Sequence, residues 1–240
     1  MPILAIDTST IVSGAAIVDL EKNKLVAEIT MQLKLPQSEV LLGHVQDVLK
    51  IAHMDKRDLT GIAISIGPGS FTGLRIGLAT AKMLAYALNL PVVAVSSLEA
   101  MAYHYPVENV YIASVLDAQK SNAYFSLYEW NNHQQKFDTL QDICVDNFEQ
   151  IVRNCSALDK PVIFVGDIAQ KKADVIEQYT NVSLGLPNLC MPRASNVAML
   201  AKERFLKGDF DNIMDLEPVY IRRSEAEVLW EKRHGEKLDI

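Results

Sequence analysis

The sequence has few cysteines and no pairing among them. Cys144, Cys155 and Cys190 are odd in number and far apart, and no Cys-x-x-Cys motif occurs. This argues against a disulfide framework and predicts reduced thiols. The first residues, MPILAIDTST, lack the basic region of a signal peptide, and no run of eighteen apolar residues follows. We therefore expect a soluble, cytoplasmic protein with no membrane contact.

Basic charge is also scarce. The chain has 23 Lys and Arg against 30 Asp and Glu, which gives a formal net charge of −7. A negative chain of this kind has no global field to hold RNA phosphates unaided. We expect any contact with a nucleic acid to depend on the charge of a partner protein.

The histidines do not have the spacing of a metal site. No two of the five stand four residues apart, as metal ligands one helical turn apart would: His44, His53, His104, His133 and His234. We therefore expect no metal centre in this chain. His44 and His53 have polar neighbours in a helical segment, and we interpret them as surface residues.

Two halves of the sequence repeat one order of elements. In each half, three strand-like segments precede alternating helices and strands, and Asp7 or Asp117 ends the first strand. With 240 residues and 49% hydrophobic content, the chain can form two cores. We predict a duplicated, two-lobed α/β fold with a cleft between the lobes. The predicted lobes are 1–105 and 106–217, and 218–240 returns to the first.

The central stretch 62–88 reads IAISIGPGSFTGLRIGLATAKMLAYAL. It predicts a strand, a tight Gly-Pro-Gly-Ser turn, and a helix over 71–88. A Walker loop needs four residues between its glycines, but five separate Gly67 from Gly73, and a dinucleotide fingerprint needs a glycine where Thr72 stands. A nucleophile elbow around Ser70 would also need glycines where Pro68 and Thr72 stand. We infer that the glycines let two backbone segments approach closely.

Other segments complete the predicted order of elements. Further helices are predicted at 38–53, 96–104, 147–154, 168–178 and 196–206, and a last short strand at 218–221. The tail 222–240 is mostly charged, with Trp230 isolated in it. We interpret this tail as either frayed or a partner-binding segment.

Four segments carry a resemblance to a known family: MPILAIDTST, GPGSFTGLRIG, VSSLEA and EPVYIRR. Together they span Met1 to Arg223, and they closely resemble the TsaB (YeaZ) family. This family is the bacterial non-catalytic partner in the synthesis of threonylcarbamoyladenosine in tRNA. The resemblance implies the fold of the actin, sugar-kinase and Hsp70 superfamily (ASKHA), which is ribonuclease H-like.

The resemblance also implies where a nucleotide would lie. In the superfamily the first strand ends in the phosphate loop, here Asp7, Thr8, Ser9 and Thr10, and a glycine-rich adenosine loop corresponds to Gly166-Asp167. We interpret these residues as an inherited turn, at most a vestigial nucleotide site. The related catalytic family, TsaD, has a His-x-x-x-His metal pair in the stretch that matches VSSLEAM, where this chain has Ser97 and Met101. Glu99 in the same stretch receives no role.

The family also carries features that this chain lacks. An Asp-Ala-Arg sequence followed by an acid is usual in the second lobe, whereas this chain has Asp117-Ala118-Gln119 and Asn122. A histidine often found before the Ser-Glu of the first helix is replaced by Gln37. These changes put the charge of one face, and one polar contact of the interface, in question.

The function implied by the resemblance is that of a scaffold without a catalytic site of its own. The chain would heterodimerise with TsaD to support transfer of threonylcarbamoyl to the adenine next to the anticodon of ANN-decoding tRNAs. TsaC would supply the adenylate, the ATPase TsaE would dock, and tRNA would bind only through the complex. No cofactor would be required by this chain, although ATP or ADP could bind where subunits meet. Two rival functions are an ATP-dependent small-molecule kinase of the same fold and, lowest in rank, a peptidase.

The two first-lobe helices, 38–53 and 71–88, are too apolar to have one side in water. By resemblance they would pack on two helices of TsaD as a four-helix bundle. When the protein is alone, they would pack on the same two helices of a second copy and form a homodimer. The candidate interface residues, some of which must face their own sheet instead, are Leu41, Val45, Val48, Leu74, Gly77, Leu78, Ala81 and Ala85.

Overall fold

The computed structural model describes residues 1–32 and 36–221 of the chain. In these residues ten strands form two five-stranded sheets, and each sheet is the centre of one lobe. The structure has the ASKHA fold that the sequence predicted.

The first lobe begins with an antiparallel meander and continues with parallel strands. Its elements are β1 (Pro2–Asp7), β2 (Val12–Asp19), β3 (Lys24–Gln32), α1 (Gln37–Ile51), β4 (Gly61–Ser65), α2 (Phe71–Leu88), β5 (Val92–Val95) and α3 (Ser97–Ala102). The strand order is β3-β2-β1-β4-β5, in which β1 pairs antiparallel with β2 and parallel with β4. The predicted helix over 71–88 is confirmed at both ends.

The second lobe repeats this plan. Its elements are β6 (Tyr111–Asp117), β7 (Asn122–Asn131), β8 (Lys136–Asn147), α4 (Phe148–Ser156), β9 (Val162–Val165), α5 (Asp167–Lys171), α6 (Ala173–Ile176) and β10 (Val182–Leu184). Its order, β10-β9-β6-β7-β8, matches that of the first sheet when equivalent strands are compared. The predicted duplication is therefore confirmed. The sequence did not reveal β10, because three residues are too few to show a period.

The first sheet is covered on both faces, which explains why β1 is apolar from Ile3 to Ile6. Leu4 and Ile6 point toward α1 and α2, whereas Ile3 and Ala5 point to the opposite side. A last helix, α7 (Ala194–Lys207), covers that side and ends at Gly208, whose φ is +70°. A left-handed residue of this kind is a common helix terminator, and glycine adopts it without a Cβ clash.

The position of α7 corrects the predicted lobe boundary. Ala194, Ala198 and Ala201 pack in one cluster with Ile3 and Ala5 of β1. Residues 194–221 therefore belong to the first lobe, and the prediction of a second lobe over 106–217 is wrong at its C-terminal end. The predicted return of the chain is seen for 218–221, whereas 222–240, including Trp230, lie outside the described residues.

Two further predictions are wrong in detail. The helix predicted at 168–178 is interrupted at Lys172, whose φ of −121° and ψ of 41° are not helical, so that α5 and α6 are separate. The segment 218–221 runs beside β4 but forms no strand. It is joined there by a bond from the Val219 N–H to the Ile66 carbonyl, at 2.8 Å.

Candidate functional site

The loop after β1 turns its acid inward. Asp7 is fully buried, and its Oδ1 atom accepts hydrogen bonds from the backbone N–H of Ser9 at 3.0 Å and from the Ser9 hydroxyl at 2.9 Å. Its Oδ2 atom and the nearby Ser65 hydroxyl are both buried, and neither makes a hydrogen bond of ordinary geometry. Burial raises the pKa of Asp7 to about 6, although the bonds from Ser9 and the nearby Ser65 hydroxyl oppose that shift.

The Gly-Pro-Gly-Ser turn closes over this loop from the other side. The N–H of Ser70 donates to the Ser9 carbonyl at 2.7 Å. A Cβ atom on residue 69 would lie 2.0 Å from that carbonyl oxygen, so only glycine permits this approach. The interpretation that the glycines serve close backbone approach is therefore confirmed.

The first turns of α2 pack on the same loop. The Thr8 hydroxyl donates to the Gly73 carbonyl at 2.8 Å. A Cβ on residue 73 would lie 2.1 Å from the Thr8 carbonyl oxygen, and one on residue 77 would lie 2.1 Å from the Thr8 hydroxyl oxygen. Gly69, Gly73 and Gly77 thus let the turn and α2 pack directly on the loop after β1. This packing keeps Asp7 from contact with solvent.

A cleft of about 320 Å³ lies beyond this seal. The loop after β1, the N-terminus of α2, the end of β6, and the C-terminal segment form its walls: Ser9, Thr10, Ile11, Gly69, Ser70, Phe71, Thr72, Leu116, Asp117, Ala118, Gln119, Tyr124, Asp167, Val219 and Tyr220. The predicted cleft between the lobes is therefore present.

The cleft brings together only part of the predicted nucleotide site. Ser9, Thr10 and Asp167 line it, whereas Asp7, Thr8 and Gly166 do not. Gly166 is buried with a φ of +127°, and a Cβ there would lie 1.7 Å from the Val115 carbonyl oxygen. The Gly166 backbone is thus packed against β6. Asp7 and Gly166, which the superfamily would place at the metal and the adenosine, therefore do not reach the cleft.

An acidic pair occupies the second-lobe wall of the cleft. The Nζ of Lys171 lies 2.9 Å from carboxylate oxygens of both Asp117 and Asp167, and Asp167 also accepts from the Asp117 N–H. Burial opposes ionisation of Asp117, but Lys171 and the N–H of Gln119 together hold its pKa below the usual range. Lys171 thus balances part of the negative charge of this wall.

The positions that correspond to the TsaD metal pair are in the core. Ser97 is buried and its hydroxyl donates to the Pro68 carbonyl, while Met101 packs in an apolar cluster of the α3 side. Within residues 1–32 and 36–221, no group of three or more His, Cys, Asp or Glu could hold a metal ion. Both positions therefore have structural roles.

The predicted interface residues lie on the wrong face of their helices. All eight are buried in the single chain, where they pack against β1, β2 and β4 or against the loop after β1: Leu41, Val45, Val48, Leu74, Gly77, Leu78, Ala81 and Ala85. A partner could reach them only if the lobe came apart. The sequence thus assigned to the interface the face of each helix that covers the sheet.

The opposite side of the two helices is exposed and still partly apolar. We call it the outer face, and define it as Leu42 and Gln46 on α1 with Arg75, Ala79, Met83 and Tyr86 on α2. Leu42 is 46% exposed, Met83 50% and Tyr86 80%. Large apolar side chains grouped in this way are typical of a protein–protein contact.

The side chains of His44 and Gln37 make contacts that the sequence did not predict. Instead of lying on the surface, His44 is buried, and its Nδ1 is 3.1 Å from the Ser13 hydroxyl. The pKa of His44 is lowered by burial, against the charge of Asp47. His53 is exposed, as predicted. The side chain of Gln37 donates to the Thr10 carbonyl at 2.7 Å, so it ties α1 to the loop after β1.

Known proteins resemble this chain over nearly its whole length. The matching family model is described as "TsaD: tRNA N6-adenosine threonylcarbamoyltransferase" and covers residues 35–230. A Bacillus subtilis protein called tRNA threonylcarbamoyladenosine biosynthesis protein TsaB is 33% identical, with 96% of this chain and 98% of that protein aligned. The chain belongs to the TsaB family.

Other comparisons agree with this assignment. The Escherichia coli TsaB is 27% identical over 99% of this chain and all of its own length. The solved structure of YeaZ from Pseudomonas aeruginosa, at 24% identity, superposes with a TM-score of 0.76 over 91% of this chain and 99% of that one, which supports the fold. No helix in the described residues is long and apolar enough to cross a membrane.

Proposed function

We propose that this chain is the non-catalytic subunit of a complex that makes threonylcarbamoyladenosine in tRNA. The observation that carries this proposal is the sealed position of Asp7. In the superfamily this acid faces the nucleotide, but here Ser9 and the Gly-Pro-Gly-Ser turn enclose it. An acid without access to the cleft cannot position a metal or a substrate there. Membership of the TsaB family supports the assignment to this pathway.

The partner in this proposal is the catalytic subunit TsaD, and the surface is the outer face of α1 and α2. The exposed Leu42, Met83 and Tyr86 give the apolar centre of such a contact, and Ala79 lets another helix come close. TsaD is itself related to this chain through the shared family model. Two related chains can pair through equivalent helices in a four-helix arrangement, and the same face would form a homodimer when TsaD is absent.

The remaining components follow from this arrangement. TsaC would supply threonylcarbamoyl-adenylate, and the ATPase TsaE would dock on the dimer, where ATP or ADP would bind between subunits. The tRNA would be held by the complex, since this chain has a net charge of −7. The threonylcarbamoyl group would be transferred to the adenine next to the anticodon of ANN-decoding tRNAs. All of these steps would take place in the cytoplasm.

The rival functions find less support in the structure. A kinase would need a nucleotide site, and Asp7 and Gly166, which the superfamily would place at the nucleotide, do not line the cleft. A peptidase would need a reactive serine in reach of substrate. The hydrogen-bonded pair of Ser13 and His44 is buried between β2 and α1, and the pair does not line the cleft.

The test of the proposal is reconstitution. The purified chain is mixed with TsaD, TsaC, TsaE, threonine, bicarbonate, ATP and an ANN-decoding tRNA, and the modified nucleoside is measured by mass spectrometry. The proposal predicts modification only when both this chain and TsaD are present, and a stable complex of the two on gel filtration. Modification by this chain without TsaD, or no complex between them, would contradict it.

A further inference from the structure

Arg75 lies where the outer face of α2 meets the mouth of the cleft. Its Nε donates to the hydroxyl of Tyr220 at 2.8 Å, across 145 residues of sequence. Its guanidinium carbon lies 3.8 Å from the centre of the Phe71 ring, and the Phe71 and Tyr220 rings are 5.0 Å apart. The three side chains form one contact in which Arg75 touches both rings.

This contact holds part of the cleft wall. Val219 and Tyr220 both line the cleft, and so does Phe71. The segment that carries Val219 and Tyr220 is joined to Ile66, the residue after β4, by the bond from the Val219 N–H to the Ile66 carbonyl. Tyr220 is 41% exposed, so packing alone does not fix its ring. The bond to Arg75 therefore keeps this ring beside the first turn of α2.

Arg75 is also the charged member of an apolar stripe. Phe71, Arg75, Ala79, Met83 and Tyr86 follow one another on α2 at spacings of four or three residues, which places them on one side of the helix. Within residues 1–32 and 36–221 the guanidinium makes no ion pair. A cation without a carboxylate at the edge of a contact surface is suited to an acidic side chain of the protein that binds there.

We propose that Arg75 couples this surface to the cleft, and this rests on the proposed binding of TsaD to the outer face. A partner carboxylate that accepts from Nε and a terminal N–H of the guanidinium forms a bidentate ion pair, which is stronger than the single bond from the same Nε to the neutral Tyr220 hydroxyl. Binding then withdraws Arg75 from Tyr220 and frees the segment that carries Val219. The cleft beside Ser70 and Thr72 becomes wider when the partner is bound. By linkage, a change that weakens the Arg75–Tyr220 bond in the free chain raises the affinity for the partner by the same free energy.

The test uses Tyr220→Phe, which removes the hydroxyl but keeps the ring against Phe71. Amide hydrogen exchange of the peptide containing Val219 is followed by mass spectrometry in the full chain, alone and with TsaD. In the free variant we expect exchange about five- to tenfold faster than in the wild type, the effect of one lost hydrogen bond. We expect the wild type to exchange at this faster rate once TsaD is bound. TsaD should also bind the variant more tightly, by a similar factor.

Tyr179→Phe is the matched control, because it removes a tyrosine hydroxyl from the second lobe, away from the outer face and the cleft. It should leave exchange at Val219 unchanged, and unaltered melting temperatures exclude a folding defect in either variant. The inference is wrong if Tyr220→Phe does not change exchange in the free chain. It is also wrong if TsaD binds and exchange at Val219 stays slow, although the proposed function then stands. Absence of any complex with TsaD would overturn both.

Discussion

Ser9 donates two hydrogen bonds, one from its backbone and one from its hydroxyl, to a single carboxylate oxygen of Asp7. The second oxygen of Asp7 has no partner. The acid at the end of β1 is thus part of a tight turn that faces the protein interior. A residue that in this superfamily faces the nucleotide serves here to shape the loop on which α2 packs.

The buried Asp7 leads to a prediction about stability and pH. Its folded-state pKa of about 6 exceeds the ordinary value of 3.8, so folding favours the neutral form. The stabilisation from this group is complete below pH 3.8 and is lost as the pH rises through 6. At pH 7.5 the ionised carboxylate then costs about 2–3 kcal/mol. Asp7→Asn should therefore stabilise the fold at pH 7.5 by about 1–2 kcal/mol, and by much less at pH 4.5.

Urea unfolding of both proteins at the two pH values checks this. Asp117→Asn is the control, since Asp117 ends the equivalent strand of the second lobe but has a lowered pKa. A folded state that prefers the charged form should lose stability when that charge is removed, so this variant should be slightly less stable at pH 7.5. Equal effects of the two substitutions would show that the burial of Asp7 is not what matters.

The close approach of α2 to the loop after β1 predicts opposite effects for two glycines. Gly77→Ala places a methyl group against the Thr8 hydroxyl. We expect this overpacking to lower the free energy of unfolding by about 2–3 kcal/mol. Gly43→Ala, on the exposed side of α1, meets no atom within 4 Å and should stabilise by about 0.5–1 kcal/mol through helix propensity. Thermal unfolding of each variant measures the difference.

The double variant Thr8→Ala with Gly77→Ala identifies the cause. Removal of the Thr8 hydroxyl makes room for the new methyl group, although the bond from Thr8 to the Gly73 carbonyl is lost as well. We expect the double variant to be more stable than the sum of the two single changes predicts. Simple additivity would mean that the two residues do not press on each other.

The outer face can be tested with two leucines of equal exposure. Leu42 on α1 and Leu140 on β8 are each 46% exposed, and they lie in different lobes. Leu42→Glu should weaken binding to TsaD at least tenfold, because a charge would be buried at the centre of the contact. Leu140→Glu should leave binding unchanged. Calorimetric titration with TsaD measures both, and equal affinities would place the interface elsewhere.

A substitution at Ala81 would not serve this purpose. Ala81 is fully buried on the side of α2 that faces the first sheet. Ala81→Glu should therefore prevent folding, because it buries a charge without a partner. Circular dichroism should show a loss of cooperative unfolding for this variant and a normal transition for Leu42→Glu. A folded Ala81→Glu chain would contradict the packing described for α2.

An ion pair fixes the start of α7 to the first sheet. The Glu28 side chain of β3 is nearly buried and accepts from Arg193 at 2.6 Å and from the backbone and hydroxyl of Ser195. The Arg193 side chain is 42% exposed, so water can solvate its charge, and the cost of Glu28→Gln comes mainly from weaker bonds to the buried oxygen, about 1 kcal/mol. Glu203→Gln removes an exposed pair with Lys207 and should cost less than about 0.5 kcal/mol. Urea unfolding that shows equal losses would mean that Glu28 is not a specific anchor.

Local pattern was enough to predict most of the fold. The strand over 92–95 and the helix over 71–88 were correct to the residue, because apolar period and turn residues determine both. The repeated order of strands then gave the duplication. The return of α7 to the first lobe could not be predicted in this way, since its short apolar stripe fits either sheet equally well until the chain path is known.

The candidate site was harder to predict for a related reason. Helix α2 is apolar on two sides, and composition does not show which side the sheet covers, so Leu78 and Ala81 were assigned to the surface. The contact of Arg75 with Tyr220 joins residues that are distant in the chain, and nothing local marks them as a pair. Asp7 was recognised as a turn residue, but its complete burial depends on the glycines of a later segment.

The most direct test of the account uses Asp7→Asn in the reconstituted reaction. The variant keeps an oxygen that can accept the bonds from Ser9 and lacks a carboxylate that could serve catalysis. If this chain is a non-catalytic subunit, tRNA modification with TsaD, TsaC and TsaE should proceed within about twofold of the wild-type rate, and the chain without TsaD should give none. A loss of more than a hundredfold in a folded variant that still binds TsaD would contradict the account.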